Sequence, residues 1–109
     1  MDTLPKELEN IIREIVRRIV DTVHPKKIIL FGSAVRGEMG PDSDFDFLVV
    51  VPSGEHRRRT AQKIYRNLIG VGFASDIIVV TEEDIELFKD HIGMVIRPAI
   101  EEGMVLYAA

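Results

Sequence analysis

The sequence predicts an α/β fold, and three observations carry the prediction. Apolar residues recur at helical spacing through the first two dozen positions. Beyond them, short apolar runs alternate with helix-like stretches, and no hairpin turn signal joins one run to the next. The chain of 109 residues has material for one hydrophobic core and not two, so residues 1–109 are expected to form one domain. Strands alternating with helices fit a two- or three-layer arrangement, although periodicity alone does not set the strand order.

Each element has its own signal. Leu4, Leu8, Ile11, Ile12, Ile15, Val16, Ile19, Val20 and Val23 recur at spacings of three, four and one. That pattern is an amphipathic helix with Thr3 as N-cap, Pro5 in its first turn and His24-Pro25 as its stop. Ile28–Phe31 is a short apolar run ended by Gly32, which reads as a buried strand entering a tight turn. Gly37, Gly40 and Pro41 mark the following loop, and Asp42-Ser43 leads into a second strand that ends at Pro52-Ser53-Gly54. A helix is expected from about Glu55 to Leu68, capped by Ser53 or Gly54, with Ala61, Ile64, Tyr65 and Leu68 on its buried side. Phe73–Val80 is a third strand, apolar enough to be covered on both faces. Thr81 then resembles an N-cap, with Asp84 at the third helical position completing a variant capping box. Helices from Glu82 to about Phe88 and from about His91 to Glu102 follow, and Met104–Tyr107 forms an edge strand or a packed end.

Composition narrows the function classes. The formal net charge of −4 argues against broad, non-specific nucleic-acid binding, which needs a basic surface. With no cysteine, disulfides and thiolate metal sites are excluded, as suits a reducing compartment. No run has the length of a signal peptide or a membrane span, so a cytoplasmic location is expected.

The chemistry is concentrated between Ile28 and Val51. Gly32 allows the backbone to approach a ligand closely, and Ser33 adds a hydroxyl beside the free N–H groups of a short helical start. In the second strand, Phe45, Phe47, Val49 and Val51 alternate with Asp44, Asp46, Leu48 and Val50. Asp44 and Asp46 therefore share one face. Two adjacent carboxylates repel unless a cation lies between them, and hard oxygen donors suit Mg²⁺ or Mn²⁺. A phosphate seat beside a dicarboxylate is equipment for nucleotidyl or phosphoryl transfer. Asp76 is the single charge in the third strand and the natural third carboxylate, unless it merely occupies that strand's exposed beginning.

Gly32-Ser33, ten intervening residues, then Asp44-Phe45-Asp46 resembles the GS…DxD signature of the polymerase-β-like nucleotidyltransferase superfamily. The local form FGSAVRGEMGPDSDFDFLVV is similar to its minimal branch, single-domain proteins often paired with a HEPN-domain partner. The resemblance implies a mixed, largely antiparallel sheet with helices packed on it. It further implies divalent metal on Asp44, Asp46 and Asp76, with Asp76 drawing the proton from the attacking hydroxyl. Gly32, Ser33 and Arg36 would hold the triphosphate of an NTP, ATP being the expected one. On its own residues Arg36 reads equally well as a stabiliser of its loop.

The remaining polar residues divide into shaping and surface roles. Asp42 and Ser43 shape the approach to the second strand, Glu38 is solvated, and His24, His56 and His91 lack metal-ligand spacing. His56-Arg57-Arg58-Arg59 places positive charge at a helix start, against the macrodipole. It is either a solvated basic turn linked to nearby acids or a docking surface for phosphate, nucleic acid or an acidic protein. Arg97 lies in the last helix without a readable direction. The expected function is AMP transfer from ATP to a hydroxyl, on a partner protein, within a toxin–antitoxin pair of HEPN type. The alternative is a binding module that keeps the fold and neutralises its partner by contact. Homo-oligomerisation is compatible with either.

Overall fold

The structure, a computed structural model, describes residues 4–40, 42–88 and 96–109. The chain opens with α1 (Lys6–Val23), whose Ile12, Ile15 and Ile19 are fully buried, as the apolar spacing predicts. It stops at His24, which takes a left-handed conformation (φ 47°) and donates its N–H to the Val20 carbonyl, with Pro25 buried behind it. Thr3, the expected cap, lies outside the described residues. On the exposed face, Arg13 pairs with Glu9 (3.0 Å), Arg17 with Glu14 (2.5 Å) and Asp21 (3.2 Å), and Arg18 with Glu14 (3.0 Å). Hydrogen bonds from Arg17 and then Arg18 hold the Glu14 carboxyl down to about 2. These pairs are wet and contribute little to stability.

Arg18 has a second task. Its Nη1 donates to the carbonyls of Asn67 (3.2 Å) and Ile69 (3.1 Å), at the end of α3 (Arg57–Asn67). Carbonyls left over at a helix C-terminus need such donors. Arg18→Ala is expected to lower stability by about 1–2 kcal/mol, the scale of a charged hydrogen bond that is partly solvated. Urea denaturation measures it, and an unchanged midpoint would show that water replaces the guanidinium without loss.

The sheet contains β1 (Lys27–Phe31), β2 (Phe45–Val51), β3 (Ser75–Thr81) and β4 (Met104–Ala108), in the order β3-β2-β1-β4. β1 runs antiparallel to both β2 and β4, whereas β2 and β3 are parallel. The sheet is thus mixed and largely antiparallel, as the resemblance implies. The 3.6-residue and two-residue periodicities meet in a core on each face. On one face, Ile28, Leu30, Phe45, Phe47, Val49 and Ile77 pack against α1 and α3. On the other, Ile29, Leu48, Val50 and Val80 meet α4 (Glu82–Phe88) through Ile85 and α5 (Ile96–Glu102) through Ile96 and Ala99. Phe73, just outside β3, stacks on Phe45 with ring centroids 4.1 Å apart.

The start of α3 departs from expectation. Gly54 (φ 96°) turns the chain before the helix begins, and His56 is the N-cap, its Nδ1 accepting the Arg59 N–H at 3.2 Å. Ser53 is turned away and instead accepts the Glu83 N–H at the start of α4. There the predicted capping box is present: the Thr81 N–H donates to Asp84 Oδ2 (2.9 Å), and the Asp84 N–H to Thr81 Oγ1 (3.1 Å). Burial would raise the Asp84 carboxyl, but the two Thr81 hydrogen bonds and Arg57 outweigh it and lower it. The last predicted helix is described from Ile96 onward, and its expected start at His91 lies outside the described residues. The 104–107 tail is the edge strand β4, paired with β1. Among the described residues, no helix is long and apolar enough to cross a membrane.

Candidate active site

The turn after β1 and the start of β2 meet at one end of the sheet. Phe31 pairs with Asp46 across the antiparallel β1–β2 ladder, so the chain leaves β1 beside that carboxylate. Gly32 has φ 76° and ψ −150°, a conformation accessible essentially to glycine alone. A Cβ at Gly32 would also run into Asp46 Oδ2. Conformation and space both require glycine here. α2 (Ser33–Arg36) follows at once, with Gly37 as its left-handed C-cap. The N–H groups of Val35 and Arg36 donate to the Gly32 carbonyl, while those of Ser33 and Ala34 find no backbone acceptor among the described residues. Among the described residues, the Ser33 hydroxyl has only a weak contact with the Met39 sulfur, at 3.5 Å. It is free to turn toward a better acceptor.

Parallel pairing supplies the third carboxylate. The β2–β3 register sets Asp76 directly opposite Asp46, and alternation puts both on the sheet face that carries Leu48 and Val50. Asp44 differs from expectation. It is an exposed residue immediately before β2, outside the ladder, rather than a second aspartate within the strand. The ladder begins one residue later, where the Phe45 N–H donates to the Ala74 carbonyl (3.1 Å). Its charge nevertheless reaches Asp46. The Asp46 carboxyl is pushed above its ordinary range first by burial, then by Asp76 and Asp44, with Arg36 partly offsetting them. Two carboxylates and one guanidinium thus act on Asp46.

Asp76 is the second residue of β3 and is exposed, so burial by itself demands no counter-ion there. Its position opposite Asp46 is what singles it out. Among the described residues, no three acidic or histidine side chains are drawn close enough to hold a metal ion as they stand. In kind, however, the donors suit a hard divalent cation, since all are carboxylate oxygens and Arg36 only partly offsets the repulsion that Asp76 and Asp44 exert on Asp46. Among the described residues, the cation acting on Asp46 is Arg36, itself engaged with Glu38 at 3.2 Å. Glu38 is therefore paired rather than merely solvated.

Other candidates lie elsewhere. His56 to Arg59 stand at the start of α3, which follows the far end of β2 from the aspartates. Arg57 is tied to Asp84 at 3.1 Å, while Arg58 and Arg59 are exposed. Arg97 pairs with Glu101 at 2.9 Å. A cleft of about 570 Å³ between Lys26, Lys27, Val50, Ile85 and Glu86 also opens at that far end, away from the carboxylates.

Sequence reasoning missed Tyr65. Expected in the core, it is 43% exposed, and its hydroxyl reaches round the edge strand to accept the Ile77 N–H at 2.8 Å. The same oxygen lies 3.5 Å from Asp76 Oδ1. Nothing local in the sequence signals a contact that depends on where α3 crosses β3.

Residues 9–105 match the family model described as "Nucleotidyltransferase domain". No curated protein matches the chain. Among solved structures, the chain is similar to a Sulfolobus solfataricus protein described as a "putative nucleotidyltransferase", with a TM-score of 0.63. The two are 20% identical over 91% of this chain and 78% of the other, a likeness that bears on the fold alone. Because the family match spans nearly all of the chain, including the Gly32 turn and all three aspartates, this protein belongs to the nucleotidyltransferase-domain family, whose general chemistry is nucleotidyl transfer.

Proposed function

We propose that the protein transfers AMP from ATP to a hydroxyl group in a reaction dependent on a divalent cation. The observation that carries this reading is the placement of Asp46, opposite Asp76 in the β2–β3 register, two residues from Asp44 and directly against the Gly32 turn that starts α2. Asp44, Asp46 and Asp76 would hold Mg²⁺ or Mn²⁺, which supplies charge neutralisation for the triphosphate. Gly32 lets the backbone of the turn come close to the phosphates, and the Ser33 amide and hydroxyl donate to them. Arg36 adds positive charge on the same side. Asp76 accepts the proton of the acceptor hydroxyl, whose oxygen attacks the α-phosphorus. The bond from that phosphorus to the bridging oxygen breaks, and pyrophosphate leaves. No side-chain nucleophile is required, because positioning and electrostatics carry this chemistry.

The acceptor we favour is a hydroxyl of a partner protein, of the HEPN type with which minimal nucleotidyltransferases are paired, and the modification would silence that partner. A small catalytic domain gains most when its acceptor docks by its own surface, since orientation supplies on the order of 7–11 kcal/mol of a bimolecular barrier. Exposed Arg58 and Arg59 offer an acidic partner one point of contact. The test incubates the protein with α-labelled ATP and Mg²⁺, alone, with a co-encoded HEPN protein, and with RNA. Label on the partner that disappears in Asp44→Asn is the expected result. Label confined to RNA ends would transfer the function to RNA. Inhibition of the partner without any label would establish the contact-only antitoxin.

A further inference from the structure

Asp76 has a difficulty that Asp46, partly buried against the Gly32 turn, does not share. It is exposed on the edge strand, its nearest charged neighbour across the ladder is another carboxylate, and repulsion favours rotation of its side chain into water. Binding a cation together with Asp46 requires the opposite. Something must hold the side chain against both solvent and charge.

We propose that Tyr65 is the positioning residue for Asp76, holding its carboxylate ready to share a divalent cation with Asp46. The inference rests on the metal-dependent reading given above. A phenol hydroxyl has one proton to donate and lone pairs to accept with. The Ile77 amide, 2.8 Å away, occupies a lone pair and fixes where the oxygen sits. The proton is then left facing Asp76 Oδ1, a long contact of 3.5 Å. The helix that carries Tyr65 is anchored, because Ile64 and Leu68 along α3 are buried in the core. Carboxylates that ligate metals are commonly oriented by such outer hydrogen bonds, whose removal weakens metal affinity or activity by about 10–100-fold.

A purely structural role is the competing account. Tyr65 could do no more than cover the Ile77 N–H on an open sheet edge, a task that uses the oxygen but not the proton. The two accounts separate on metal binding. Mn²⁺ affinity is measured by the electron-paramagnetic-resonance signal of the free ion, on the full chain, for wild type, Asp46→Asn, Tyr65→Phe, Asp76→Asn and the Tyr65→Phe/Asp76→Asn double variant. Melting temperatures identify the range in which every variant is folded. Tyr65→Phe is expected to weaken Mn²⁺ binding by about 10-fold or more and to lower kcat with little change in the KM for ATP. In the Asp76→Asn background the same substitution should have no further effect, because Tyr65 acts through Asp76. Tyr65→Phe with a lower melting temperature but wild-type Mn²⁺ affinity overturns the proposal and leaves the metal site standing. Equal weakening in both backgrounds also overturns it, since the effect would then bypass Asp76. Wild-type protein that binds no Mn²⁺, or binds it as tightly after Asp46→Asn, overturns the metal-dependent reading itself and this inference with it.

Discussion

Asp46→Asn is expected to reduce nucleotidyl transfer by at least about 10²–10³-fold, the scale of losing one preorganised electrostatic group, while making the metal-free fold more stable at neutral pH. The two effects have one cause. The Asp46 carboxyl is raised above its ordinary value of 3.8 by burial first and by Asp76 and Asp44 after it. A raised carboxyl favours the folded state when protonated. Its contribution is fully present below 3.8 and is lost as pH rises through the higher folded value. At pH 7 the ionised side chain therefore destabilises the native protein, and the uncharged amide relieves that strain. Melting temperatures should be higher for the variant at pH 7 and should converge with wild type as the pH falls below the ordinary carboxylate range. Mg²⁺ should stabilise wild type, since an ion bound only by the folded state shifts the equilibrium toward it, and should have little effect on the variant. A variant that melts lower than wild type at pH 7 would make Asp46 a structural residue.

Gly32→Ala is expected to damage stability and chemistry together. With φ 76° and ψ −150°, an alanine there is strained by about 1–3 kcal/mol before any contact is considered. Its methyl group must in addition displace the Asp46 carboxylate or push the turn away from it. A misplacement of about 1 Å at a reacting centre lowers rates on the order of 10²-fold. The control is Gly54→Ala, which has a positive φ of 96° but, among the described residues beyond its chain neighbours, no atom within 4 Å of the new methyl. It should lower stability and leave transfer intact. Equal activity in the two variants, corrected for the folded fraction, would show that the fit between Gly32 and Asp46 plays no part in the chemistry.

The sequence by itself determined the local parts of this protein. α1 ends at His24-Pro25 because the apolar stripe and the proline are adjacent in the chain. The Thr81–Asp84 capping box, the Gly32 turn and the face alternation of Phe45, Phe47 and Asp46 are likewise properties of a few neighbouring residues. Helical and strand periods span one or two turns of chain, so they report what each segment does alone. Only the tertiary structure decided how the segments meet. Parallel pairing of β2 with β3 brings Asp76 opposite Asp46 across thirty residues of sequence, whereas a slip of one position would turn it to the other face. The start of the β2 ladder at Phe45 leaves Asp44 outside the strand, although alternation alone places it within. The crossing of α3 over the sheet edge aims Tyr65 at Asp76 rather than into the core. Even the cap of α3 is His56, while Ser53 accepts from the start of α4, a neighbour far along the chain. Register and docking are decided by contacts between distant residues, and no local pattern encodes which of two distant partners will be within reach.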